Sequence, residues 1–322
     1  MKKQIQKIGL LLLVSIMVVF SSVMVYAQSV EVPEDIRIGL YYGSTSVASL
    51  KLSSPGGIEV GILVDGEFEL IDEVDANDTI TITKGDSRGS AYVSGIGEIG
   101  SNDEYPYFRA LEDDGVSILN VNGKRYRGNI EIRRFSDSDM TVINHLSMQE
   151  YLYGVVPREI GGNSPIEAVK AQSIVARTYA TKNYGRREQW GFDLYPTVDD
   201  QAYGGYDWEN SNSNRAVDET NGKVVVYNGE LIGGYYFSTS GGYTESSENV
   251  WGGKLGYLKA VPDLYEPEIE GNTTWEVELT AKEIKDKLKA KGVDIGDILE
   301  VEPIEHTEAG RVLELRIVGT EW

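Results

Sequence analysis

Cysteine is absent from the sequence, which excludes disulfides, thiol nucleophiles, lipid attachment through a cysteine and cysteine-containing metal sites. Histidine is nearly as scarce. His145 and His306 are the two in the chain, too far apart to give metal-ligand spacing, and Ser240 sits in no Gly-x-Ser-x-Gly elbow that would make it a hydrolase nucleophile. No cofactor or metal is expected. Basic residues are the minority, 30 Lys and Arg against 51 Asp and Glu, for a formal net charge of −21. Such a balance argues against nucleic acid or an anionic membrane surface as partner, because both repel it. Solubility of an exported protein accounts for the total equally well.

Long apolar runs are also missing after the first 27 residues. Those residues carry Lys2, Lys3 and Lys7, an apolar run from Ile8 to Phe20, and Val25-Tyr26-Ala27 as a small-x-small cleavage site. This is the form of a secretory signal, and predicts a mature chain beginning at Gln28 outside the cytoplasm. The competing reading is a retained anchor, since Ile8 to Tyr26 approaches the ~20 residues a membrane helix needs. Removing the leader takes three lysines and no acid, so the mature charge becomes −24. Binding to any anionic surface would then depend on a shaped groove and not on bulk attraction.

From Val30 to about Met140 the chain reads as strands. Alternating and β-branched residues occur in IRIGLYY, SVASLKL, TITITK and SAYVSGI, with Gly, Asp, Asn and Pro between them. Asp114-Gly115 and Asn122-Gly123 have the form of two-residue hairpin turns. The segment could be a docking surface or the sheet framework of the molecule; the pattern favours the framework.

The densest signals lie between Tyr151 and Ala180. Ser147-Met148-Gln149-Glu150 has capping-box spacing, with Leu146 and Tyr151 placed as a staple, so a helix should begin near Met148. Pro157 should end it at Val156 and leave Arg158, Glu159, Gly161 and Gly162 on a loop. Ser164-Pro165-Ile166-Glu167 reads as a second capping box opening a helix that runs to about Gly185. Its Ile166, Val169, Ala176 and Ala180 recur at helical spacing among many small residues, which marks a buried central helix. A carboxylate between two capped helices suits a positioned general acid, though an ordinary surface glutamate has the same pattern.

Farther on, Asn228-Gly229 reads as a hairpin whose second strand runs into Ser238-Thr239-Ser240-Gly241-Gly242-Tyr243-Thr244. That hydroxyl run is either a contact for a polyhydroxylated ligand or a polar loop. Thr280-Ala281-Lys282-Glu283 is another capping box, with a helix closed by Gly292 and two strands around Ala309-Gly310.

The run YLYGVVPREI followed by SPIEAVKAQSIVARTYA resembles the signature of the SpoIID/LytB family of bacterial cell-wall proteins. TVDDQAYGG, YYFSTSGGYTESSENVWGG, YLKAVPD and the approach RYRGNIEIRR fit in order, so the similarity covers roughly Arg125 to the C-terminus. Ile160 departs from the family's usual Met, a volume-conserving swap. Relatives usually continue beyond Trp322, so the sequence reads as shortened or as a fragment.

The resemblance implies an α+β fold, a mixed and β-rich sheet framework around the central small-residue helix. The organisation expected is a leader at 1–27, a β-rich lobe at 28–134 and a SpoIID-like region at 135–322. The implied activity is lytic cleavage of the peptidoglycan glycan strand between N-acetylmuramic acid and N-acetylglucosamine, in sporulation or wall remodelling. Glu159 falls on the catalytic acid. Gln172, Arg177, Tyr179, Gln201, Tyr203, Ser238, Ser240 and Thr244 fall on matching blocks as substrate-positioning or scaffold residues, with Gln172 and Arg177 equally open to a structural role. Asp199, Asp200 and Glu245 are the next acids in line. Some relatives bind zinc through Cys and His, which a chain without cysteine gives no reason to expect. The other function the resemblance implies is a non-catalytic wall binder that enhances a partner amidase.

Overall fold

The computed structural model describes residues 30–135, 138–266 and 275–321; the expected leader lies outside them. Chain contacts divide the protein into two compact units, Met1–Gly234 and Tyr235–Trp322.

In the first unit the strands are β1 (Asp35–Tyr41), β2 (Ser49–Ser53), β3 (Ile58–Val64), β4 (Glu67–Val74), β5 (Thr79–Lys84), β6 (Ala91–Val93), β7 (Gly97–Ile99), β8 (Glu104–Ala110), β9 (Glu112–Asp113), β10 (Val116–Val121), β11 (Lys124–Arg127), β12 (Asn129–Arg133) and β13 (Thr141–Ser147). They form two antiparallel sheets. One has the order β1-β13-β12-β8-β3-β4 and the other β11-β10-β2-β5-β6-β7, with β9 beside β10. Alternation decides which side faces in: Leu50 and Leu52 of β2 and Ile80 and Ile82 of β5 are buried while their neighbours turn outward. Asp114-Gly115 and Asn122-Gly123 adopt positive φ at both positions, as a turn twisted to match the strands requires. The first sheet takes strands from both sides of residue 135, because β13 lies between β1 and β12.

Strand β13 passes directly into helix α1 (Met148–Val156). Ser147 Oγ accepts from Glu150 N, and Glu150 Oε2 accepts from Ser147 N in return, so the capping box forms as the spacing predicts. Leu146 and Tyr151 are both buried. The next residues correct the expectation of a loop. Pro157–Gly161 is a π-helical turn continuing from α1, with Val156 at φ −56 and ψ −45 and Pro157 itself helical. A widened turn accommodates a residue without an N–H, so proline need not break the helix here.

Helix α2 (Ile166–Lys182) follows, but its N-cap is Pro165 and no second capping box forms. Ser164 Oγ instead donates to Ile160 O, and Glu167 pairs with Lys170. Val169, Ala176 and Ala180 are buried as predicted, and with Ala216 and Val217 of α3 (Ser211–Glu219) they join one continuous core with the sheets and α1. Each fully buried Leu or Val of α1 contributes roughly 1.5–3 kcal/mol relative to exposure. The Asn228-Gly229 hairpin is present between β14 (Val226–Tyr227) and β15 (Glu230–Leu231), yet its second strand stops at Leu231 and does not reach the hydroxyl run.

The second unit contains α4 (Ser247–Trp251), α5 (Ala281–Ala290), β16 (Ile298–His306) and β17 (Val312–Gly319). The Thr280 capping box forms on α5, and Gly292 takes a positive φ just beyond it. Among the described residues every buried hydrophobic side chain lies at or before Val217, so this unit has no apolar core of its own. The whole is mixed α+β. Among the described residues no helix is long and apolar enough to cross a membrane.

Candidate functional site

Glu159 occupies the π turn between α1 and α2, half-buried. Its Oε1 accepts a 2.9 Å hydrogen bond from the Ala202 N–H. Among the described residues no other hydrogen bond and no ion pair reaches this carboxyl group. The two arginines whose direction matters both point elsewhere. Arg158 lays its guanidinium over the Trp208 indole, 4.4 Å from the ring centre, and Arg177 is drawn into the far side of α2.

The stretch 196–208 is what brings a donor to Glu159. Gly204 N donates to Gly154 O at 3.0 Å, and Tyr203 N donates to Pro196 O. Close approach requires glycine on α1, since a Cβ on Gly154 would stand 2.5 Å from the Tyr203 ring. Tyr203 is buried, donates to Asn144 Oδ1 at 2.8 Å and packs on Tyr126 and Tyr151. It is an internal brace, as is Asn144, whose amide also donates to Arg127 O and Asn129 O.

Gln201 is buried beside this brace. Its Oε1 accepts from Tyr151 OH at 3.3 Å while its Nε2 finds no partner among the described residues. Gln172 on α2 likewise has a buried Nε2 without a partner. Two unanswered amide donors stand out, because such groups cost about 1–3 kcal/mol each when left unpaired.

The remaining residues of α2 turn to scaffold work. Arg177, 1% exposed, donates to Val217 O, Thr220 O and Lys223 O, closing the C-terminal end of α3. Burial pushes its guanidinium down to about 10. Of the two roles left open for it by the sequence, the contacts match the structural one. Tyr179 donates to Asp200 Oδ1, and burial, with Asp200 beside it, pushes its phenol up to about 12. Asp200 is itself held by Arg186, Arg187 and the Tyr195 N–H, so its oxygens are committed to the fold. Asp199 is exposed and accepts from Thr197.

The second unit holds the hydroxyl residues. Ser238 is exposed, but Ser240 is buried and its Oγ bonds Asp263 and Glu266. Ser240 N also donates to Glu266, and Arg311 donates to Ser240 O. Thr244 Oγ1 donates to Lys259 O and accepts from Val261 N. These two hydroxyls shape their own loop. Glu245 accepts from Asn249, Thr307 and the Ser246 N–H; burial opposes them, yet the bonds prevail and hold its carboxyl below the usual range.

A cleft of about 700 Å³ lies elsewhere on the first unit, beside Arg37, Glu131, Arg133 and His145. Its arginines are answered by Asp193 and Glu131, and it contains none of the residues above. Among the described residues no three His, Asp or Glu side chains converge as metal ligands. Gly154 and Trp208 escaped the sequence reading. A glycine inside an otherwise good helix was the signal for the first, and a tryptophan three residues past a Gly-Gly pair the signal for the second.

The family model described as stage II sporulation protein matches residues 136–227. The amidase enhancer of Bacillus subtilis is 41% identical over 144 residues, 45% of this chain and 18% of that protein. The stage II sporulation protein D of the same organism is 31% identical over 167 residues, 46% of this chain and 48% of that protein. An uncharacterized protein of Brachyspira hyodysenteriae is 35% identical over 167 residues, 52% of this chain and 44% of that protein. The chain thus spans less than half the length of these relatives. The matched region contains the π turn, both helices that flank it and the stretch that holds Glu159, so it is over residues 136–227 that the chain is similar to the SpoIID family.

Proposed function

We propose that the protein acts outside the cytoplasm on the glycan strands of bacterial peptidoglycan, as a lytic transglycosylase with Glu159 as its single acid and base. The observation that carries this reading is the state of the Glu159 carboxyl group: one oxygen is anchored by the Ala202 N–H and the other meets no partner among the described residues. An anchored carboxyl with one free oxygen is suited to giving and taking a proton at one fixed place. In the reaction proposed, the muramic C6 hydroxyl attacks C1 as the bond from C1 to the glycosidic oxygen breaks. Glu159 gives its proton to that leaving oxygen and then accepts the C6 hydroxyl proton, leaving a 1,6-anhydro end. No activated water is needed, so the second carboxyl of ordinary glycosidases has no part to play.

Release of anhydro-muropeptides from purified peptidoglycan tests the reading. Glu159→Gln, folded by circular dichroism, should lose ~10²–10⁴-fold in rate while still binding strands; a wild-type rate in this variant would place the acid elsewhere.

A second reading has an observation of its own, the 41% identity to a protein named an amidase enhancer. There the same surface would bind the wall and present it to an amidase without cleaving the glycan. Wild-type protein that releases no glycan fragments but accelerates an added N-acetylmuramoyl-L-alanine amidase would establish it.

A further inference from the structure

We infer that Trp208 and Arg158 form a saccharide platform beside Glu159, one that takes a sugar ring bearing an anionic substituent; the inference rests on the glycan-binding reading above. The two side chains make one preassembled unit. Trp208 ends the short 3₁₀ turn Tyr206–Trp208, which Arg125 fixes through two bonds to Asp207. Gly204 underlies both groups, since a Cβ there would stand 2.5 Å from indole Cγ and Cδ1 and 2.8 Å from Arg158 Cδ. The chain at Gly204 is tied to α1 through Gly154 O, and two residues earlier Ala202 holds Glu159. Platform and acid therefore share both of their supports: residues 158 and 159 on one side, 202 and 204 on the other.

Trp208 keeps 52% of its surface exposed, where burial against the core would otherwise be the favoured fate of so large an apolar ring. An open indole suits the C–H face of a pyranose ring, which is large, flat and apolar on that side. Arg158 is exposed too, and among the described residues it has no carboxylate partner, although the chain has 51 acids to 30 bases. A guanidinium lying over an indole can still offer its edge N–H donors to a carboxylate with two bonds. Successive residues of a helical turn project in different directions, so Arg158 can hold such a group without turning onto Glu159. The carboxylate could belong to the lactyl ether of a muramic residue or to a peptide attached there.

The test is calorimetric binding to the full chain carrying Glu159→Gln, which prevents turnover, with a neutral N-acetylglucosamine oligomer and with purified muramic-acid-containing strands, peptide-free and peptide-bearing. Trp208→Ala should weaken all three by about threefold to tenfold. Trp208→Leu, which keeps an apolar group on Gly204, should show the same loss if the alanine variant does not fold. Arg158→Gln should spare the neutral oligomer and weaken the muramic strands, and loss on one strand type alone would identify which carboxylate is bound. Unchanged affinity in folded Trp208→Leu overturns the platform, and equal loss for neutral and anionic ligands in Arg158→Gln overturns the anionic part. Because these measurements read binding, they stand apart from cleavage: a wild-type protein that binds strands without cutting them removes the lytic reading and leaves the platform to be judged by these affinities.

Discussion

Arg177 shows how a side chain in a signature can serve the fold. It carries its charge into the interior to meet three backbone carbonyls at the end of α3, with no carboxylate pairing it among the described residues. Arg177→Met should therefore lower stability by about 2–4 kcal/mol, because buried carbonyls lose their donors; chemical denaturation checks this. In surviving folded protein the affinity for glycan should be unchanged, which separates scaffold from substrate contact. His145 gives a second residue-level expectation. Burial holds its imidazole below the ordinary value of 6.5, with its Nδ1 against Tyr107 OH. Below pH 6.5 the unfolded chain then binds a proton that the folded chain resists, so stability must fall as pH drops through that range. The lowered carboxyls, such as Glu245 and Asp207, add losses of the same sign in a lower window, below about 4.5. Denaturation midpoints measured from pH 7.5 to 5 should decline in the wild type and stay flatter in His145→Gln.

At the scale of elements, the joint between α1 and α2 is where sequence and structure part company. The capping boxes at Ser147 and Thr280 were legible because a side chain and a backbone amide three residues apart determine them locally. Pro157 was misread for the opposite reason. Whether a proline stops a helix depends on what the widened turn gains elsewhere, and here it gains Ile160 O for Ser164 and Ala202 N for Glu159, contacts from beyond any local window. The hydroxyl run around Ser240 was visible as a motif, but its partners Asp263, Glu266 and Arg311 are 23 to 71 residues away. Gly154 tests the joint directly. Gly154→Ala forces a methyl group toward the Tyr203 ring, so it should cost about 1–3 kcal/mol by overpacking and should reduce cleavage by displacing Ala202 from Glu159. Activity measured at a temperature where the variant is fully folded distinguishes the second effect from the first.

For the whole molecule, the decisive fact is where apolar surface is buried. The continuous core extends from Ile36 to Val217, whereas the described hydrophobic side chains after Gly234 are half-buried or exposed. Amide hydrogen exchange should therefore be slow in β1, β12, β13 and α1 and much faster in α5, β16 and β17, since local opening there exposes little that was hidden. Equal protection in the two units would contradict this account. The seam at Gly234/Tyr235 also makes the protein divisible in a practical sense. A gene ending at codon 234 would keep every buried hydrophobic residue among those described, together with Glu159, Gln172, Gln201 and Trp208, while Ser238, Ser240 and Thr244 would travel with the remainder. Supplying the two pieces separately and together would then show, by complementation, which of them the proposed wall activity needs.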